Sequence, residues 1–119
     1  MGKVVSVHEY ELKSGVAPED FEKAVRGADA RGLFRLPGLV GYHLVRGIKG
    51  ERQGRYAAVW IYESRNAWQR LWGSPDLPRS FAEYPETWRT WEQEVLAPLL
   101  TQIPDAISFT TYEELFDDA

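Results

Sequence analysis

The chain has 119 residues, a net charge of −4 and no cysteine. That length suits one domain, residues 1–119, and the missing cysteines exclude disulfides and thiolate catalysis. The acidic balance argues against a nucleic-acid partner, whose binding surface is basic.

Val4 to Leu12 alternates, with Val5 and Val7 on one side and Ser6, His8, Tyr10 and Leu12 on the other, which predicts a strand with two unlike faces. Ser14-Gly15 turns the chain. Pro18 suits a first helical position, and Glu19 and Asp20 follow where the helix dipole favours acids. Phe21, Ala24, Val25 and Ala28 form the buried face of a helix expected to reach about Leu36, weakened by Gly27 and Gly32 and ended by Pro37-Gly38. Leu39 to Ile48 reads as a second strand, with Tyr42, Leu44 and Arg46 opposite His43 and Val45. GIKGERQG is a hairpin loop into the third strand. Arg46, Lys49, Arg52 and Arg55 cluster there without a phosphate-cradling pattern, so they read as a solvated loop.

Tyr56 to Tyr62 is β-branched and aromatic, the composition of a well-buried strand. Ser64 is placed to cap a helix carrying Ala67, Trp68, Leu71 and Trp72 on one face, and Gly73, Ser74 and Pro75 stop it. A proline-rich connector follows, in which Ser80 and Glu83 have capping-box spacing. From Glu86, Trp88, Trp91, Val95, Leu96 and Leu99 fall at helical spacing, and Pro98 marks the fraying end. Ile107 to Leu115 is the last strand, with Ile107, Phe109 and Thr111 opposite Ser108, Thr110 and Tyr112. Asp117-Asp118 reads as a frayed terminus.

The order strand, helix, strand, strand, helix, strand is the split βαβ pattern of a ferredoxin-like α+β fold: a four-stranded antiparallel sheet with helices on one face. Yet both faces are apolar. One is expected to carry Val5, Val7, Ala57, Val59, Ile61, Ile107 and Phe109, the other His8, Tyr10, Tyr56, Trp60, Tyr62 and Tyr112. Each buried Val or Ile contributes roughly 1.5–3 kcal/mol, so an uncovered aliphatic face is a liability. A second copy of the sheet is the simplest cover, which predicts a homodimer.

In HEYELKSG, LPGLVGYHLVRG and VWIYESRNAWQRLWGSP, taken in that order, the chain resembles the antibiotic-biosynthesis-monooxygenase-like family. The helix-ending Pro-Gly and the aromatic-Glu-Ser step into a helix with Ala and Trp carry the likeness, over residues 3–75 and 105–113. The resemblance implies a dimeric α+β barrel with a ligand cleft between sheet and helices. It puts His8 where the haem-degrading branch has a polar strand residue, and Tyr62 where that branch has an aromatic shaping the cofactor. That branch takes its iron ligand from a histidine on the second helix. Residues 65–99 hold none, so no haem is expected.

The function implied is cofactor-independent oxygenation of a small aromatic or quinol-type compound. His8 is the candidate catalytic base, because imidazole moves a proton near neutral pH. Trp60, Tyr62, Trp68, Trp72 and Trp88 would wall the pocket, and Tyr10, Tyr56 and Ser108 would orient the substrate. The plain alternative is an aromatic core with His8 hydrogen-bonded inside it, in a non-catalytic ligand-binding or stress-associated dimer. His8 and His43 sit on separate strands without ligand spacing, so no metal site is expected. Glu9 and Glu63 read as salt-bridge partners. No apolar run approaches the ~18 residues of a membrane span. MGKVVSVHEY lacks a signal peptide's apolar block, and a cytoplasmic location is expected.

Overall fold

The computed structural model describes residues 2–116. Four strands, β1 (Val4–Glu9), β2 (Leu39–Arg46), β3 (Tyr56–Tyr62) and β4 (Phe109–Glu113), form one sheet. Their order is β2-β3-β1-β4 and each neighbouring pair is antiparallel. This is a ferredoxin-like fold. α1 (Pro18–Ala30), α2 (Arg65–Trp72) and α3 (Glu86–Thr90) follow the expected order, with a short α4 (Pro104–Ile107) before β4. Among the described residues, no helix is long and apolar enough to cross a membrane. Asp117-Asp118 lies outside the described residues.

Local chemistry explains most boundaries. Ser64 Oγ accepts the Ala67 N–H at 3.1 Å and opens α2 as the sequence predicts. Glu83 Oε1 reaches back to the Ser80 N–H at 2.9 Å and holds a single 3₁₀ turn, Phe81–Glu83. α1 stops six residues short of the expected Leu36. Gly32 adopts φ +73°; its N–H bonds the Asp29 carbonyl, and the Leu33 N–H bonds that of Ala28. This is the Schellman closure that glycine permits at low cost. α3 does not continue as an α-helix. From Trp91 to Leu96 it widens into a π turn, and the Ala97 N–H reaches the Glu92 carbonyl five residues back. Pro98 has no N–H to offer the Glu94 carbonyl.

The two faces separate clearly. Ser6, His8 and Trp60 point under the helices and are 2%, 4% and 0% exposed. Val5, Val7, Ala57, Val59 and Ile61 face away and stay half-buried. The register sets His43 opposite Val59 and Val45 opposite Ala57, so His43 is on the outer face, away from His8.

β4 departs from expectation. Ile107, its expected first residue, closes a helical turn, Pro104–Ile107, with proline at the start, and the strand begins only at Phe109. His8 pairs with Phe109 and Val5 with Tyr112. Directly paired residues share a face, so Phe109 lies under the helices and Tyr112, 57% exposed, lies outside. The expected faces of this strand, with Phe109 beside Val5 and Val7 and Tyr112 beside His8, are therefore inverted. Ile107 belongs to α4 and to neither face. The basic loop also has defined partners. Arg52 pairs with Glu9 at 2.6 Å and donates to the carbonyls of Tyr10 and Tyr56.

Gly38 holds the start of β2 closely against α2. Its φ is +83°, and a Cβ there would lie 2.6 Å from the Ala67 Cβ. Gly50 has φ +97° but open space around it. Gly38→Ala is therefore expected to cost backbone strain of about 1–3 kcal/mol plus the clash with α2, and Gly50→Ala the strain alone. Urea unfolding of the two variants checks this; equal losses would show that the approach to Ala67 has no energetic consequence.

Candidate functional site

β1 and β3 lay His8, Trp60 and Tyr62 side by side on the helix face, and α2 and α3 bring Trp68, Trp72 and Trp88 over them. These six residues line one cavity of about 220 Å³. The aromatic wall is continuous: the Trp60 and Trp88 rings are 5.0 Å apart, and Trp72 and Trp88 5.2 Å. The Trp68 indole N–H is buried with no partner in the protein.

Three residues expected to orient a substrate lie elsewhere. Tyr10 is buried beyond the cavity, its ring stacked on His8 and tilted against Phe21. Tyr56 sits at the other end of β3 and donates its hydroxyl to Glu22. Ser108 donates to Glu9 Oε1 at 3.1 Å. None of the three lines the cavity. β1 and β3 are longer than the cavity is wide, so sharing a face does not bring their ends to it.

His8 is held at both nitrogens. Nδ1 is 3.1 Å from the Trp60 indole nitrogen, and Nε2 is 2.8 Å from Asp105 Oδ1. An indole N–H can only donate, so the network makes Nδ1 the acceptor and puts the imidazole proton on Nε2, directed at Asp105. The ring also stacks on Phe109 at 4.6 Å. No nitrogen of His8 is free toward the cavity, which removes the condition for its use as a general base.

The acids of the site are Glu92, on the π turn, and Asp105, on α4. Both line the cavity. Ligand atoms of His8, Glu92 and Asp105 lie within 4.8 Å of one another. Sequence spacing did not foresee this grouping. A cation on Nε2 would require the His8 proton to move to Nδ1, against the Trp60 N–H, so the trio suits a proton better than a metal. Burial, with the Asp105 charge beside it, pushes the Glu92 carboxyl up to about 7, while the Trp88 indole pulls the other way. The Tyr62 phenol is pushed up too, chiefly by burial, and stays protonated.

Glu92 had a sequence signal. With Trp88, Trp91 and Val95 it sits at i, i+3, i+4 and i+7, an acid inside an apolar stripe. Asp105 had none, because it follows Pro104 as first-turn acids commonly do.

No family model and no curated protein matches the chain. Solved structures do, along nearly its whole length, and several are described as candidate antibiotic biosynthesis monooxygenases. The fold is that of the antibiotic-biosynthesis-monooxygenase-like proteins. SnoaB, a cofactor-independent oxygenase from Streptomyces nogalater, is 17% identical, with a TM-score of 0.59 over 98% of this chain and 96% of its own. MhuD, a haem-degrader from Mycobacterium tuberculosis, is 25% identical, with a TM-score of 0.57 over 98% and 99%. A dimeric ferredoxin-like protein from Thermobifida fusca is 11% identical, with a TM-score of 0.58 over 95% and 92%.

Glu92 makes stability depend on pH. Its folded value of about 7 lies above the ordinary 4.5, so the folded state holds the proton more tightly. Its contribution is complete below pH ~4.5 and is lost as the pH rises through 7, by about 3 kcal/mol. Glu92→Gln keeps the neutral form. It is expected to match the parent near pH ~4.5 and to exceed it by roughly 2–3 kcal/mol at pH ~8, measured by denaturant unfolding. A difference independent of pH would show that Glu92 ionises normally in the fold.

Proposed function

We propose that the cleft binds a small phenolic or quinol-type aromatic and that Glu92 takes its proton, preparing it for oxygenation by dioxygen without a cofactor. One observation carries this reading: a carboxylate poised near neutrality inside an aromatic-walled cavity. A base of that strength suits proton removal at neutral pH. The six ring residues exclude water and accept a flat substrate, and the unpartnered Trp68 N–H is a donor for a substrate oxygen. His8 replaces base chemistry with positioning, since its proton fixes Asp105 beside Glu92.

In the keto tautomer of such a phenol the proton is carried by a ring methylene flanked by aromatic carbons. Glu92 accepts a C–H proton, leaving a delocalised carbanion. The carbanion reduces dioxygen and joins it as a peroxide anion, which takes the proton back from Glu92 and becomes a hydroperoxide. Loss of water then leaves a ring carbonyl, with one oxygen atom in the product and one in the water. The substrate supplies all the electrons.

The residues do not fit a haem. The cleft's histidine spends both nitrogens within the protein. A second reading, a dimer that holds a ligand without converting it, is favoured by that same engagement of His8. Oxygen uptake with an anthrone, followed with absorbance of the quinone, separates the two. Glu92→Gln is expected to lower turnover by roughly 10²–10⁴-fold while anthrone still binds. Binding without turnover in the parent protein would leave the second reading standing.

The outer sheet face supports a homodimer. Val5, Val7, Val59 and Ile61 remain half-buried with Val45 and Tyr112 exposed beside them, and the Thermobifida fusca neighbour is described as dimeric. Sedimentation is expected to give twice the chain mass. Val59→Asp is expected to dissociate or unfold the protein, because an unpaired buried carboxylate is costly. Val45→Glu, at a site exposed in one copy, is expected to yield a folded monomer. A parent protein sedimenting as a monomer would sink this reading.

A further inference from the structure

We propose that the substrate is longer than the inner cleft: a phenolic or quinol ring held beneath His8, with a neutral apolar extension running past Tyr84 into a second chamber. This rests on the cleft reading above and adds the substrate's shape. The second chamber, of about 560 Å³, lies beyond the π turn. Phe81, Ala97, Leu100, Ile103 and Pro104 give it apolar walls.

The two cavities share three wall residues: Tyr84, Glu92 and Asp105. Tyr84 is the partition. Its ring meets Trp72 of the inner wall at 4.9 Å and Phe81 of the outer wall at 5.5 Å. The inner cavity alone is smaller than ordinary ligand sites, whereas the outer one falls within the ~300–1,000 Å³ range. A ligand occupying both has an ordinary size.

The outer wall is anchored. The Lys13 N–H bonds the Leu99 carbonyl at 2.8 Å, and the Thr101 N–H bonds that of Glu11 at 3.0 Å. Leu12 and Leu100 form a bridge. These bonds tie residues 99–101 of the chamber wall to residues 11–13, just beyond β1. Ile103 is 70% exposed at its rim, an apolar side chain that an apolar ligand would cover. Lys13 also lines the outer chamber, but the charged residues of the neck that the two cavities share are acids only. Passing between chambers brings a ligand beside two acids, which disfavours an anionic tail and admits a hydrocarbon one.

The test uses resorcinol and 4-hexylresorcinol as probes, titrated calorimetrically against the full chain. The extended probe is expected to bind at least about tenfold more tightly. Ala97→Trp, which fills the outer chamber from an exposed position, is expected to abolish that advantage and leave resorcinol binding unchanged. Ile103→Glu, at an exposed site, is expected to do the same by making the chamber polar. Equal affinity of the two probes for the parent protein overturns the proposal and leaves the cleft reading intact. So does an advantage that survives both variants. Failure of both probes to bind overturns the cleft reading, and the proposal with it.

Discussion

The hydrogen bond from Trp60 to His8 fixes the chemistry of this fold. Trp60 is fully buried on β3, and its indole N–H has one role, to donate. That single polarity determines which imidazole nitrogen carries the proton, and therefore that His8 faces Asp105 as a donor. A bond between two strands thus reaches α4, two elements away in contact and 97 residues away in sequence. Buried networks of this kind are costly when half satisfied. Here every nitrogen of the imidazole is engaged, which fits a side chain only 4% exposed.

The consequence is a division of labour between histidine and carboxylate. A histidine with both nitrogens committed is a poor base, whatever its ordinary strength. Glu92 is in the reverse position. It lies on the π turn, where the helix widens and the Glu92 carbonyl is taken by Ala97. π turns recur at functional sites because they re-aim one side chain at the expense of regular pairing. Burial and the neighbouring Asp105 then hold its proton more firmly than water would. The group we propose as the base is thus a carboxyl whose charged form the fold disfavours.

Much of the architecture was legible in the sequence, because the signals were local. β3 and α2 are set by a β-branched run, a serine cap and a glycine stop within eighteen residues, Tyr56 to Gly73. Alternation along β1 assigned Ser6 and His8 to the covered face. Six of the nine residues expected at the site line one cavity. Three were not legible, because a shared face does not give position along the strand. Tyr56 lies at the far end of β3, and Ser108 lies before β4 begins. The faces of β4 were lost for another reason. Parity can only be transferred between strands through register, and the register here is set by a helical turn at Pro104 that carries no strand pattern.

Burying an acid near neutrality works against the fold, and natural sequences usually fill such a position with leucine. The stripe Trp88, Trp91, Val95 shows that this helix has apolar residues at the equivalent sites. A structural role gives no reason to keep Glu92 there, since a neutral residue of similar size would relieve the desolvation penalty without disturbing Trp88 or Asp105. Strain tolerated at one position while its neighbours are optimised is the pattern expected where a site, and not the core, sets the residue. The same logic separates the two acids. Asp105 is 60% exposed at its side chain and keeps much of its hydration. Burial is the larger cause that raises Glu92, with Asp105 adding to it, and Glu92 is thereby held near neutrality.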